Sequence, residues 1–560
     1  MKRAALLAIA STLLACAKPT APPERIVLVT IDTWRSDAIG TSGSGKVATP
    51  NLDALAAAGL YAPEAWASAT LTAPSHATIL TGLEPYHHGV RNNQGYKLAT
   101  GAATLATALR GAGYATAAFV SAHPLRHGLG FDAGFDRFDD QVAPGDPLSV
   151  IPRSRPGAAT IDAARAWMKT APKKLFLWVH LYEPHDPYEP PAPFTGYYGE
   201  VAYVDQLIGR LRSDLPDAAW IVCGDHGEAL GDHGELTHGL FVYDATARVP
   251  LIVASPGRIA PRRLLRARLV DVVPTVLALA SVPVPAGLDG HSLLDEDGAP
   301  GLAYVETMYA HLDFGAAPVR ALSDGCIKAI DVPRPETYDL ASDPAEAHDI
   351  TATQAADALF GALASRPAAP LPPNLVGTAA STEALRSLGY IGSGGAYPLG
   401  TPGMDPKDFA PLYRTLDEAH GLAMARRWPE AAARYETLLT SFPRSAMLEQ
   451  EYGMLLVASG RMKDAEPHLL RAVALDPSNV HAWLGLANVA IAEGDAALAE
   501  KRFLQLLEID PDDAEGNFDL GLLYHQVLGR PADARRYWER FLALQPTDPE
   551  AQRIRELLKR

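Results

Sequence analysis

Four prolines, Pro443, Pro477, Pro511 and Pro546, stand 34, 34 and 35 residues apart, and that period restricts the fold more than any other feature. A fixed repeat of this length is one helix-turn-helix unit, which cannot bury its apolar face alone and must stack on its neighbours. Small and aromatic residues recur in register between the prolines. Tyr452-Gly453, Ala465, Leu469 and Ala472 precede Pro477; Trp483, Leu486, Ala499 and Phe503 precede Pro511; Leu520-Gly521, Ala534 and Trp538 precede Pro546. Three good units and a more degenerate one from about Leu412 to Pro443 predict an all-α solenoid over 408–560. A concave groove of this kind holds a protein partner rather than performing chemistry.

The other end of the chain is equally distinctive. Lys2 and Arg3 precede an apolar run from Ala4 to Ala15, the pattern of a signal peptide over 1–15, too short for a permanent membrane span. The run ends Leu13-Leu14-Ala15-Cys16 and resembles a lipobox, which implies acylation of Cys16 and a small, proline-containing tether over 16–24. The expected location is therefore the bacterial cell envelope, on its periplasmic face, with Ala17 compatible with the outer membrane. The lipid anchor is the expected membrane contact. A net charge of -16 argues against nucleic acid as a partner, because no basic surface is available to displace counterions. Cys223 and Cys326 read as buried thiols, with a disulfide between them the alternative in an oxidising compartment.

Between these ends, Arg25 to Ile31, Ala115 to Ser121, Leu175 to His180 and Ala218 to Gly224 read as strands. Ala102 to Gly111, Thr160 to Thr170 and Val201 to Leu211 read as helices. The alternation predicts an α/β domain over 25–365, a mainly parallel sheet sandwiched by helices, with chemistry at the strand C-termini. A proline-, alanine- and glycine-rich linker follows over 366–407, with one short helical piece around Ala384 to Leu388.

Four segments place hydroxyl, carboxylate and imidazole groups at element ends: Val27 to Thr33 with Asp32; Thr72-Ala73-Pro74-Ser75-His76; Phe176 to Pro191 with His180 and His185; and Cys223-Gly224-Asp225-His226-Gly227-Glu228 running on to His238. A lone strand-end aspartate is commonly a helix cap. Asp-His at the end of an apolar strand, followed by more histidines, points instead to a metal, because buried charge must be paired or coordinated. His180 reads equally as a strand-end ligand or a satisfied buried histidine.

In their order, Ile31-Asp32-Thr33, Thr72-x-Pro74-Ser75, Thr81-Gly82, Pro184-His185-x-Pro187-Tyr188, Gly224-Asp225-His226-Gly227-Glu228 and Val249-Pro250-Leu251-Ile252 resemble the sulfatase family of the alkaline-phosphatase superfamily. The tail Tyr338-Asp339-Leu340-x-x-Asp343-Pro344-x-Glu346 resembles the end of that domain, and the 34-residue units match tetratricopeptide repeats. The resemblance implies a metal-dependent ester hydrolase. Sulfatases carry a cysteine or serine, converted to formylglycine, where this chain has Thr72. Threonine cannot be converted that way, which shifts the resemblance toward relatives with an unmodified threonine nucleophile acting on phosphoesters. Thr33 and His76 also stand where sulfatases usually have aspartate and arginine. His226 replaces a common asparagine, favouring zinc or manganese over the still compatible calcium.

The expected mechanism gives Asp32, Asp225 and His226 to a divalent metal that also meets the Thr72 hydroxyl, with Thr72 as nucleophile on a phosphomono- or diester. Ser75 is the rival hydroxyl. His76, Asn93 and His123 are expected near the substrate, the last two as donors to its oxygens. His185 and His238 either complete a second metal site or act as substrate clamp and general acid, so one or two ions remain open. Competing expectations are a sulfate-ester hydrolase, a phosphoryl-headgroup transferase, and a non-catalytic scaffold working through its repeats.

Overall fold

The computed structural model describes residues 21–93, 96–141, 154–295, 301–314, 316–366, 403–546 and 548–559. Cys16, the tether up to residue 20 and the helical piece around Ala384 lie outside the described residues.

The chain opens the main sheet with β1 (Arg25–Ile31), whose β-branched run is wholly buried after Arg25. Seven further strands follow: β2 (Leu60–Trp66), β3 (Ala115–Phe119), β4 (Arg137–Asp139), β5 (Leu175–Leu181), β6 (Ala219–Gly224), β7 (Arg248–Ala254) and β8 (Arg262–Arg263). Their order is β4-β3-β5-β1-β6-β7-β2-β8. The β4 to β6 half is parallel, and antiparallel pairing enters where β7 meets β6 and β2. Burial on both faces explains why these strands read as continuous apolar runs rather than alternating ones.

Alternate residues of each strand serve two helical layers. Ile26 and Leu28 face α2 (Thr72–Thr81), α3 (Leu105–Gly111) and α6 (Val272–Leu279); Val27, Val29 and Ile31 face α1 (Pro50–Ala58), α4 (Gly157–Met168) and α5 (Gly196–Asp214). This is the three-layer sandwich expected from the sequence.

A second sheet was not legible in advance. Strands β9 (Ala303–Thr307), β10 (Val319–Ser323), β11 (Ile327–Asp331) and β12 (Glu336–Asp339) form an antiparallel meander. The fully buried Lys328 of β11 pins it, its Nζ 2.7 Å from Glu346 and 2.9 Å from Asp244. Glu346 also accepts the Asp244 N–H at 2.6 Å, which gives the tail motif a structural reason. Cys223 is buried as expected, whereas Cys326 is exposed in the β10–β11 turn.

The solenoid comprises α7 (Pro406–Met424), α8 (Trp428–Ser441), α9 (Ala446–Ala458), α10 (Met462–Leu475), α11 (Val480–Ala492), α12 (Ala496–Ile509), α13 (Ala514–Leu522), α14 (Pro531–Leu544) and α15 (Pro549–Leu557). Each of the four periodic prolines ends the second helix of a pair. Two residues on, Ser445, Asn479, Asp513 and Asp548 accept a backbone N–H as the cap of the next helix. The array does not hang free. Phe409, Leu416 and Ala419 of α7 share one apolar cluster with Trp66, Phe241, Tyr243, Val319 and Tyr338 of the α/β domain. Met404 bridges to Ala316, and its carbonyl accepts Ala317 N at 2.8 Å.

Phe409→Ala should therefore cost about 3–5 kcal/mol, the usual price of an aromatic cavity. Calorimetry should show the lost stability in a transition that melts the α/β domain and first repeat together; two independent transitions, only one of them shifted, would contradict the shared core.

Candidate active site

Parallel register brings the first ligand-type residues together. Thr30 pairs with His180 on one side and Cys223 on the other, so Asp32, His180 and Asp225 emerge at neighbouring positions on the C-terminal edge. Asp32 N donates to Leu181 O at 3.0 Å and Asp225 N to Ile31 O at 3.2 Å, extending the ladder up to the functional groups. All three side chains, and that of His226, are fully buried.

The tautomers follow from the hydrogen bonds. His226 Nδ1 lies 3.0 Å from Gly227 O and donates to it. Its Nε2 lone pair is left 3.6 Å from Asp32 Oδ1 and 3.5 Å from Asp225 Oδ2. Asp225 Oδ1 accepts from Thr33 N and His226 N, at 3.2 and 2.8 Å. Both Asp32 oxygens, Asp225 Oδ2 and His226 Nε2 are buried without a hydrogen-bond partner. Four converging acceptors, met only by the His180 Nε2–H at 3.5 Å and the His76 Nδ1–H at 3.4 Å, are unfavourable unless a cation lies between them. One imidazole nitrogen with carboxylate oxygens is a set that a divalent transition ion accepts, so these residues fit a metal. Asp32, Asp225 and His226 offer ligand atoms within 4.8 Å of one another.

The electrostatics agree. Burial, and then the charge of Asp32, push the Asp225 carboxyl well above the usual carboxylate range. Burial also opposes ionisation of Asp32, but the imidazoles of His180, His185 and His226 outweigh it and hold that carboxyl low. Burial and the neighbouring His238 take His226 down to about 3, leaving it a neutral ligand-type imidazole.

A second group, His76, His180 and Asp225, is equally compact, but its hydrogen bonds give His76 another task. Trp178 Nε1 donates to Thr30 Oγ1 at 3.1 Å, Thr30 Oγ1 lies 2.9 Å from His76 Nε2, and His76 Nδ1 lies 2.8 Å from the Thr72 carbonyl. With Thr30 donating to Nε2, Nδ1–H donates to Thr72 O, and the imidazole clamps the first turn of α2. Burial pushes the His76 pKa well down, so the ring stays neutral in this relay. His180 Nδ1 accepts from Ser121 N at 3.4 Å, leaving Nε2–H facing Asp32 Oδ2 at 3.5 Å.

Thr72 opens α2 as its first helical residue, 3 % exposed, with Leu71 rather than Thr72 as the cap. Helix N–H groups there favour an anion. Ala73 N donates to Asn93 Oδ1 at 2.8 Å, so Asn93 reaches this helix start and offers its Nδ2 as a donor. The rival hydroxyl, Ser75, is committed to Asp225 O at 2.6 Å. The residues just before Asn93 are anchored by Arg91, buried in a bidentate pair with Glu306, one arm of which is 2.6 Å long. His123 starts a short turn after β3 that packs on α2.

His185 and His238 stand together, ring centroids 5.1 Å apart and edge to face, with His238 4.5 Å from His226. Glu228 binds His238 Nδ1 at 3.2 Å. Burial alone would lower His238, but the Glu228 carboxylate outweighs it and raises the imidazole to about 8. Neither His185 nor His238 falls in a compact ligand group. Glu228, inside a recognised motif but given no role in advance, and the Trp178–Thr30 relay are functional supports that local pattern did not mark.

The family model described as Sulfatase matches residues 24–282, and that described as N-sulphoglucosamine sulphohydrolase, C-terminal, matches 231–368. Residues 24–282 form a sulfatase-family domain. Tetratricopeptide-repeat models match 416–480 and 456–517. An arylsulfatase of Clostridium perfringens is 24% identical over 376 residues, 48% of this chain and 77% of that protein. An uncharacterized sulfatase of Escherichia coli is 31% identical over 166 residues, 28% of this chain and 33% of its own length. Among solved structures, a phosphonate monoester hydrolase of Agrobacterium radiobacter superimposes with a TM-score of 0.52 at 22% identity, covering 61% of this chain and 94% of that one. A protein bound to its substrate D-glucosamine-2-N,6-O-disulfate gives 0.52 at 21%, covering 61% and 97%. The chain thus carries a sulfatase-family domain over residues 24–282, and the proteins that domain resembles are ester hydrolases. Enzymes of that family use a divalent metal, and the acceptor cluster of Asp32, Asp225 and His226 is where this domain has the groups for one.

Zinc or manganese at about 100 times its Kd should raise unfolding stability by about 2.7 kcal/mol. Asp225→Asn keeps the Oδ1 acceptor but removes the carboxylate repulsion. Thermal melts should show it no less stable than wild type without metal, and without the metal-dependent gain; the same gain as wild type would exclude these ligands.

Proposed function

We propose that the domain hydrolyses phosphoesters through Thr72, at the cell envelope to which Cys16 would anchor it. The observation that carries this reading is a threonine buried at a helix N-terminus, its carbonyl 2.8 Å from His76 Nδ1, which is itself 3.4 Å from Asp225 Oδ2, where the family's sulfate-cleaving members need a modifiable side chain. A phosphonate monoester hydrolase among the structural neighbours is in keeping with chemistry at phosphorus on this fold.

Asp32, Asp225 and His226 would hold the metal, zinc or manganese by their donor set. When bound, it supplies positive charge that lowers the pKa of the Thr72 hydroxyl and offsets charge on the reacting phosphoryl oxygens. Thr72 Oγ1, having released its proton to solvent, forms the new bond to phosphorus while the bond to the leaving oxygen breaks in line with it. His76 holds the Thr72 backbone so that Oγ1 keeps its aim. Asn93 Nδ2 and the first N–H groups of α2 donate to the nonbridging oxygens. His238, oriented by Glu228 through Nδ1, presents Nε2 to the leaving group and gives it a proton. Water then gives a proton to the now neutral His238 and attacks the phosphothreonine at phosphorus, expelling Thr72 Oγ1, which takes a proton from solvent and completes hydrolysis.

Thr72→Ala should retain the fold and lower kcat on aryl phosphate mono- or diesters by about 10^3-fold or more, as loss of a covalent nucleophile does elsewhere. A wild type that cleaves aryl sulfate faster than any aryl phosphoester, or a Thr72→Ala variant with undiminished phosphoester turnover, would reject the assignment.

A further inference from the structure

The repeat array meets the hydrolase at the groups that support its site. Tyr413 of α7 places its hydroxyl 3.3 Å from Thr237 Oγ1, next to His238. The ring of Tyr413 stands edge-on to Tyr309, 6.2 Å between centroids, and Tyr309 hydroxyl reaches Met447 Sδ of α9 at 3.9 Å. Tyr309 in turn lies beside Gly239 and Leu71, the residue before Thr72: a side chain at Gly239 would meet both. Ser445, the cap of α9, donates to Asp313 O at 2.5 Å. The Asp313 carboxylate accepts from Asn92, next to Asn93, at 3.1 and 3.2 Å. Farther along, Asp510 lies 3.4 Å from Arg126 and Leu544 O accepts from Gln141 at 3.0 Å. Arg126, Gln141 and Thr237 follow β3, β4 and β6, so the array is fastened along the same strand edge that carries the site.

Helical spacing then fixes what α7 presents to that edge. Tyr413, Asp417 and His420 are four and three residues apart and share one face. Asp417 is solvent-exposed on it, while His420 is held by Glu451 of α9 at 2.9 Å and Tyr435 donates to the same carboxylate at 3.1 Å. Tyr413 anchors this face at Thr237, the residue before His238, whose ring lies 5.1 Å from that of His185, and Asp417 follows Tyr413 by one helical turn. At the floor, Glu228 Oε2 is buried without a partner. The first repeat helix therefore borders the hydrolase beside His238, and it brings the exposed Asp417 carboxylate to that border.

We propose that the repeat array completes the substrate pocket, with Asp417 on the leaving-group wall selecting ester leaving groups that carry a cationic amine over those that carry an anion. This rests on the phosphoester reading above and adds to it the class of the organic part. The tetratricopeptide repeats act here on the substrate itself. A carboxylate facing a leaving-group cation at a partly wetted wall changes binding by about tenfold, and by the opposite sign for an anion.

The test is kinetic, on the full chain, with two aryl phosphodiesters that differ in a trimethylammonium or a carboxylate on the departing phenol. Wild type should favour the cationic ester in kcat/KM. Asp417→Asn should reduce the cationic-to-anionic ratio about tenfold. Glu418→Gln, one residue on and paired outward with Arg434, should leave that ratio in place. A ratio unmoved by Asp417→Asn, or moved equally by Glu418→Gln, overturns the proposal. Should wild type cleave neither ester, the phosphoester reading fails by itself. Calorimetric titration of the two phenols then decides the wall: about tenfold tighter binding of the cationic phenol to wild type than to Asp417→Asn supports it, and equal or undetectable binding overturns it.

Discussion

Two carboxylates that face each other in the dark of the sheet edge organise this molecule. Asp32 and Asp225 sit at the ends of adjacent parallel strands, both fully buried, with three of their four oxygens lacking a hydrogen-bond partner. Such an arrangement is costly for folding alone, and the surroundings are built to tolerate it. His226 adds a neutral nitrogen with its lone pair inward, Thr33 and His226 backbone N–H groups satisfy one oxygen, and His180 and His185 supply compensating field. The neighbouring strands, the relay through Trp178 and Thr30 to His76, and the start of α2 all take their positions from that centre.

The sheet edge was legible in the sequence because an apolar β-branched run that ends in Asp32, and another that ends in Asp225-His226, break the rule that interiors are uncharged. The repeats were legible because proline and the polar cap two residues after it recur at a constant interval. The antiparallel meander was missed for the opposite reason: β9 to β12 are four or five residues long, and runs that short carry too little periodicity to separate from loop. His180 could not be resolved because a strand-end imidazole looks the same whether it binds a metal or accepts from Ser121. The Thr30–His76 and Trp178–Thr30 contacts join residues 46 and 148 positions apart, beyond the reach of any local pattern. Cys326 departs from the usual burial of free cysteine because it sits where the β10–β11 turn carries the chain outward.

The join between hydrolase and repeats shows the same limit on a larger scale. Composition marks a boundary over 366–407, and a boundary in composition suggests two bodies with a tether. In the folded molecule, however, Phe409 and Leu416 belong to a core that includes Val319 and Tyr338, and the caps and turns of later repeats reach back to Arg126 and Gln141. Apolar stripes on α7 fit a generic helical repeat and a docking surface alike, so only the tertiary contacts distinguish them.

The strand-like bridge of Met404 to Ala316, just ahead of the first repeat helix, means that both sides of residues 367–402 are fastened to one body. A single protease cut in that stretch would turn one chain into two while leaving the buried interface whole, so the nicked protein would migrate as an intact particle and separate only when denatured. Fragment size on a denaturing gel would accordingly be a poor guide to whether the hydrolase still has its second wall.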